Sequence, residues 1–276
     1  TRESGQVNYS NVAVLNSDMQ TIGEITKIAP EERIYSTRFM GDRLYMVTFK
    51  QVDPLFTIDL SEPTNPVIVG QLKVPGFSSY LHPYDENLLI GLGKDTYVTE
   101  NGGVRTKGVK LSLFDVSDFE NPKEVDTIII GDEGSDSIAL NEHKAFLFDK
   151  NKNLLVIPVR EVGEKYETDK SGYFRNKVWN GAYVFTITSN GFDVRGKVSH
   201  NEKDEEYNYW SSPFNVERSL YVGDNLYTFS DSLVKVNDLG TVDEINSIKL
   251  PYEQNWYPFK SYWEKENSLV DEISIN

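Results

Sequence analysis

Three histidines, His82, His143 and His200, are the only imidazoles in this 276-residue chain. Imidazole titrates near neutral pH and is the commonest metal ligand. The three lie far apart and none forms a close pair such as His-x-His. A shared metal site would need the fold to gather them; otherwise each is a structural imidazole or a surface residue. Gly131-Asp132-Glu133-Gly134-Ser135-Asp136 is the better loose cation loop, with Asp132 and Asp136 as weak candidate ligands for a structural calcium ion. Asp149-Lys150-Asn151-Lys152-Asn153 opens like a calcium loop, but Leu154 stands where the glycine should follow. Arg160 holds the twelfth position, where a bidentate Glu is required, so the stretch reads as a hairpin turn. The chain has no Cys, which excludes a disulfide framework and thiolate metal sites. No Gly-x-Ser-x-Gly elbow, Walker loop or zinc-protease helix occurs. Asn101-Gly102-Gly103 opens no helix, and among the many carboxylates no pair stands out as a glycosidase pair. No catalytic residue is assigned, no cofactor beyond that calcium is expected, and the chain reads as a non-enzyme.

Aromatic side chains are the second chemical signal. Three long segments, 94–109, 160–181 and 200–213, read as irregular loops. The second carries Tyr166, Tyr173, Arg175 and Trp179; the third carries Tyr207, Tyr209 and Trp210 among Glu202, Asp204, Glu205 and Glu206. Exposed Trp, Tyr and Arg are enriched in binding hot spots, and aromatic faces stack on sugar rings. The competing reading is that these aromatics pack the loops onto the fold beneath.

The elements that must position these residues repeat. Asp59-Leu60-Ser61-Glu62-Pro63-Thr64-Asn65-Pro66 matches Asp115-Val116-Ser117-Asp118-Phe119-Glu120-Asn121-Pro122, each between an apolar run and a β-rich run. That is strand, polar turn, strand, because Asx and Pro set turns and Pro cannot sit in a central strand. Gly41-Asp42-Arg43-Leu44-Tyr45 and Gly223-Asp224-Asn225-Leu226-Tyr227 form a second matched pair and read as tight hairpins. Together these give four modules of four strands, at 34–74, 78–130, 145–199 and 214–250, with residues 8–28 as the outer half of another. No convincing helix exceeds two turns. The expected class is all-β: a β-propeller of four-stranded antiparallel blades, four full blades plus a half blade. Residues 1–251 form the propeller, and 252–276 form a tail that closes the ring or docks on a partner.

Residues 32–45, 47–56, 75–84, 143–148 and 219–224 carry a further resemblance. They are similar to secreted archaeal and bacterial proteins with a C-terminal β-propeller distantly related to WD40 repeats. The resemblance covers roughly residues 10 to 250. It implies secretion or cell-surface attachment and further propeller upstream, and it brings no catalytic residues.

The formal net charge of −15 excludes nucleic acid as a partner, since phosphates demand clustered Lys and Arg. No apolar run approaches the ~18 residues of a membrane span. The chain opens at Thr1 with neither Met nor a signal peptide, which reads as a processed or truncated product. The expected function is a non-catalytic extracellular binding or structural scaffold for a protein or glycan, with further blades or copies of itself as other partners. The alternative is a polysaccharide hydrolase or lyase with its site in the propeller funnel.

Overall fold

The computed structural model describes residues 8–50, 53–168, 174–201 and 212–252. The half blade is β1 (Ser10–Leu15) paired with β2 (Thr21–Ile28). Blade 1 is β3 (Arg33–Met40), β4 (Arg43–Phe49), β5 (Asp53–Asp59) and β6 (Val67–Val74). Blade 2 is β7 (Phe77–Pro83), β8 (Leu88–Val98), β9 (Val104–Asp115) and β10 (Lys123–Ile130). Blade 3 is β11 (Leu147–Asp149), β12 (Leu154–Thr168), β13 (Phe174–Thr188) and β14 (Gly191–Val198). Blade 4 is β15 (Arg218–Val222), β16 (Asn225–Phe229), β17 (Leu233–Asp238) and β18 (Glu244–Lys249). Each full blade is an antiparallel sheet in sequential strand order, as a propeller of four-stranded blades requires.

The apolar residues explain the stacking. Leu154 and Val156 pack with Val216 and Leu226 of blade 4, whereas Leu155 and Ile157 pack with Leu111 and Leu113 of blade 2. Successive residues of a strand point to opposite faces, so a continuous apolar run marks a sheet buried on both sides. In the same way Leu44 and Met46 meet Ile28 of the half blade, while Tyr45 and Val47 meet Leu81 and Phe114 of blade 2. The core is therefore a series of apolar layers between successive blades. At the end of the series, Leu220 and Val222 are exposed on the face of β15 opposite to Tyr221, and every residue of β18 is exposed.

One backbone bond recurs in all four blades and accounts for the sequence repeats. The carbonyl of the first hairpin accepts from the amide that follows or ends the third strand: Asp42 from Leu60 at 2.8 Å, Asn87 from Val116 at 2.8 Å, Asn153 from Ile187 at 3.0 Å and Asp224 from Leu239 at 2.8 Å. Gly41 and Gly223 sit at these hairpins with φ of 61° and 60°, left-handed values that glycine adopts without strain. The matched Asp59 and Asp115 each cap their turn, accepting the amides of Ser61 and Ser117 at 2.8 and 2.9 Å.

Two of the segments expected to be irregular loops are extended hairpins. Residues 94–109 lie in β8 and β9 apart from a turn at 99–103, and residues 160–181 lie in β12 and β13 up to Thr168 and from Phe174. The pairs Thr96↔Thr106, Val98↔Val104 and Val162↔Val178 carry the ladders onward. β-branched residues fit a pleated surface, and that preference prevails over the polar residues between them. Most of the third segment, 202–211, and the tail beyond Tyr252 lie outside the described residues.

Candidate functional site

The first strand of blade 3 is broken, and the break opens a cleft. Asp136 forms an isolated bridge with Arg160, with both backbone bonds at 2.8 Å. The chain then leaves the sheet through two 3₁₀ turns, Ile138–Leu140 and His143–Ala145, before rejoining β12 at β11. Pro158 gives the physical reason. It lies between the two paired stretches of β12 and has no amide proton for an inner strand to accept. Its carbonyl is taken by the Ser137 hydroxyl instead.

The result is a cleft of about 560 Å³ between blades 3 and 4, at the end where the blade-to-blade connections emerge. Residues 136–138 and Asn141 form one wall; residues 212, 215–217 and Asp231 form the other, and Tyr252 also lines the cleft. Asn180 of β13 sits in this lining at 4% exposure, and its Nδ2 has no hydrogen-bond partner among the described residues. Arg160 is adjacent across the sheet, paired in register with Asn180. Its Nη1 donates to the Gly134 carbonyl at 2.7 Å. Burial pushes the Arg160 guanidinium below its ordinary range, and Asp136 opposes that shift. Asp136 in turn is held by Lys94 at 2.6 Å. Glu217 and Asp231 stand exposed in the lining.

A second polar cluster lies on the first strands of blades 1 and 2, which line the axis of a propeller, and on the 3₁₀ turn just before β11. The Tyr80 hydroxyl shares a hydrogen bond with His82 Nδ1 at 2.9 Å, and His143 stacks on the Tyr80 ring at 4.5 Å. Phe146 packs against both Tyr80 and His82. Burial, then the positive charge of Arg38, lowers His82 to about 4; burial raises the Tyr80 phenol while Arg38 opposes it. Arg38 Nε is itself buried without a partner among the described residues. Two histidines from different modules thus meet around one tyrosine. His200 is elsewhere: it is 1% exposed, with Nδ1 bonded to Ser230 Oγ at 2.9 Å and Nε2 to Thr228 Oγ1 at 2.8 Å.

The residues singled out in the sequence fall as follows. Trp179 is half-buried, edge-on to Tyr183 at 5.4 Å and capped by Lys197 Nζ at 5.0 Å. It packs toward blade 2, on the face of β13 opposite to its neighbour Asn180, so the residue beside it faces the cleft. Tyr166 and Arg175 fall on the paired strands β12 and β13, with their side chains outside the described set. Tyr173, Tyr207, Tyr209 and Trp210 also lie outside the described residues. Asp132 and Asp136 belong to a backbone-braced turn, in which the Asp132 amide donates to the Val162 carbonyl. Among the described residues no three His, Asp or Glu stand close enough to hold a metal ion. Asp149 accepts the amides of Asn151 and Lys152 and caps a hairpin turn.

Asn180, Arg38 and Tyr80 were not singled out in the sequence, and Arg160 entered only as the residue that breaks a calcium-loop pattern. Asn180-Gly181 falls at the end of the 160–181 segment expected to be an irregular loop. Its place inside a strand is the missed signal, because Asn and Gly are both depleted there and mark close approach. A Cβ on Gly181 would meet the Val198 carbonyl oxygen at 2.2 Å.

Repeated four-stranded sheets stacked through apolar layers define a β-propeller protein. The chain matches the beta propeller domain family over residues 1–242 and belongs to it. An uncharacterized protein of Methanocaldococcus jannaschii is 35% identical over 250 residues, which is 91% of this chain and 33% of that protein. An uncharacterized protein of Archaeoglobus fulgidus is 34% identical over 241 residues, 87% of this chain and 32% of that protein. The chain thus spans about a third of the length of these relatives. Among solved structures, apo AztD from Citrobacter koseri aligns with TM-score 0.42 and 12% identity, over 89% of this chain and 58% of that one. The Cps50 (Swd1) β-propeller domain of Myceliophteria thermophila aligns with TM-score 0.41 and 10% identity, over 88% and 68%.

Proposed function

We propose that this chain is a non-catalytic binding scaffold, secreted or attached at the cell surface, that receives a protein or glycan on the face holding the cleft between blades 3 and 4. The observation that carries the reading is the cleft itself. It has the volume of a small-molecule or epitope pocket, a floor on the paired strands β12 and β13, and a buried amide donor without a partner among the described residues. The net charge of −15 favours such partners over nucleic acid. The exposed Leu220 and Val222 of blade 4 offer a separate surface for further blades or another copy.

The polysaccharide hydrolase or lyase stands as the second reading, favoured by the convergence of Arg38, Tyr80 and His82. That cluster has a tyrosine and a neutral imidazole, but Arg38 is the charge coupled to both. Acid–base cleavage of glycosidic bonds ordinarily uses two carboxylates. Incubation with soluble envelope proteins and polysaccharides separates the readings. A scaffold binds and returns its ligand at unchanged mass; new reducing ends or unsaturated sugars would overturn the non-catalytic assignment.

A further inference from the structure

We infer that the cleft between blades 3 and 4 binds a neutral, polyhydroxylated ligand, a short oligosaccharide segment; the inference rests on the scaffold reading above and names its ligand class. Asn180 Nδ2 is a buried donor that no protein acceptor satisfies among the described residues. Leaving such a donor unmade is costly, so the site favours a ligand that brings an acceptor to it. Around it stand three carboxylates, Asp136, Glu217 and Asp231, and one guanidinium, Arg160.

That charge set discriminates among ligand classes. A phosphate or carboxylate ligand would satisfy Asn180 but would approach the exposed carboxylates Glu217 and Asp231, the charge of Asp136 being already met by Lys94 at 2.6 Å. The guanidinium that could offset them is already bonded to Gly134 O and coupled to Asp136. A cation would suit the carboxylates but would leave the Asn180 donor unanswered. A hydroxyl both donates and accepts. A sugar hydroxyl can accept from Asn180 while other hydroxyls of the ligand donate to carboxylates of the lining, which adds no charge to the site. Tyr252, exposed in the lining of the cleft, supplies an aromatic face for a ring. The volume of about 560 Å³ lies within the ~300–1,000 Å³ of small-ligand sites and accommodates more than one ring.

The test uses the whole chain with chitotriose, mannotriose and maltotriose as neutral probes. Trigalacturonate and inorganic phosphate serve as anionic controls, and free lysine as the cationic one. Saturation-transfer NMR and calorimetry are expected to show at least one neutral trisaccharide bound and the charged controls bound more weakly. Asn180→Ala is expected to weaken that binding by roughly tenfold, the loss of one hydrogen bond to a buried donor. Asp231→Ala, at an exposed position where folding is not at stake, is expected to weaken it several-fold. The inference is overturned if no neutral trisaccharide binds, if a charged control binds more tightly, or if both variants bind as well as the parent. A separate measurement keeps the scaffold reading distinguishable. If an envelope protein binds and Asp231→Ala weakens it while no trisaccharide competes, the scaffold stands and the sugar assignment fails. If neither sugar nor envelope protein binds, both fail.

Discussion

His200 makes the fold acid-sensitive by an amount that the structure sets. Its ring is 1% exposed and spends both nitrogens on hydroxyls, Ser230 Oγ at 2.9 Å and Thr228 Oγ1 at 2.8 Å. Burial, with the nearby Lys235 ammonium, lowers it from 6.5 to about 4, and Glu244 opposes the shift. The folded chain therefore keeps this imidazole neutral at a pH where the unfolded chain protonates it. Its stabilisation is complete above about pH 6.5 and falls as the pH drops from there toward about 4. Linkage between those two values removes about 2 kcal/mol on going from about pH 7 to about pH 5. His200→Gln is the matched perturbation, since an amide can donate to one hydroxyl and accept from the other. The variant is expected to lose about 1–2 kcal/mol at pH 7 from poorer hydrogen-bond geometry. Urea unfolding at the two pH values reads the rest. Carboxylates other than Glu244, which is coupled to His200, titrate alike in both proteins, so the parent should lose about 2 kcal/mol more than the variant across the interval. Parallel losses in parent and variant would refute the argument.

Two other perturbations follow from the blade interior and the channel. Gly93 of β8 stands where a Cβ would lie 1.5 Å from the Phe77 carbonyl oxygen, which is backbone. Gly93→Ala should destabilise blade 2 by about 1–3 kcal/mol in denaturant unfolding, and an unchanged midpoint would contradict the packing described. His82 should stay neutral down to about pH 4 in an NMR titration of its ring protons, because burial beside Tyr80 and Phe146 disfavours the imidazolium; a midpoint near 6.5 would show that the cluster is not formed.

The blades were legible because their signals are local. The Asp59 and Asp115 turns, the Gly41 and Gly223 hairpins and the unbroken apolar run from Leu154 to Ile157 each announce a strand or its end. The first long hairpin was misread as a loop because Thr96, its partner Thr106 and Arg105 opposite Tyr97 stand beyond the buried part of blade 2, where no core dictates alternation. The cleft was the least legible feature. It depends on Pro158 breaking a strand contributed by residues some twenty positions earlier, and on Asn180 facing away from Trp179. Neither pairing partner nor sheet face can be read from composition. Aromatic residues drew attention to Trp179, whereas the orphan donor is the unremarkable amide beside it.

Hydrogen exchange of the chain with and without its best-binding trisaccharide, with the ligand weighed afterwards, tests the central claim most directly. The account predicts new protection in residues 136–141 and 212–217 and a ligand of unchanged mass. Protection centred on residues 78–83 and 143–148 instead, or a cleaved ligand, would move the site to the channel and contradict it.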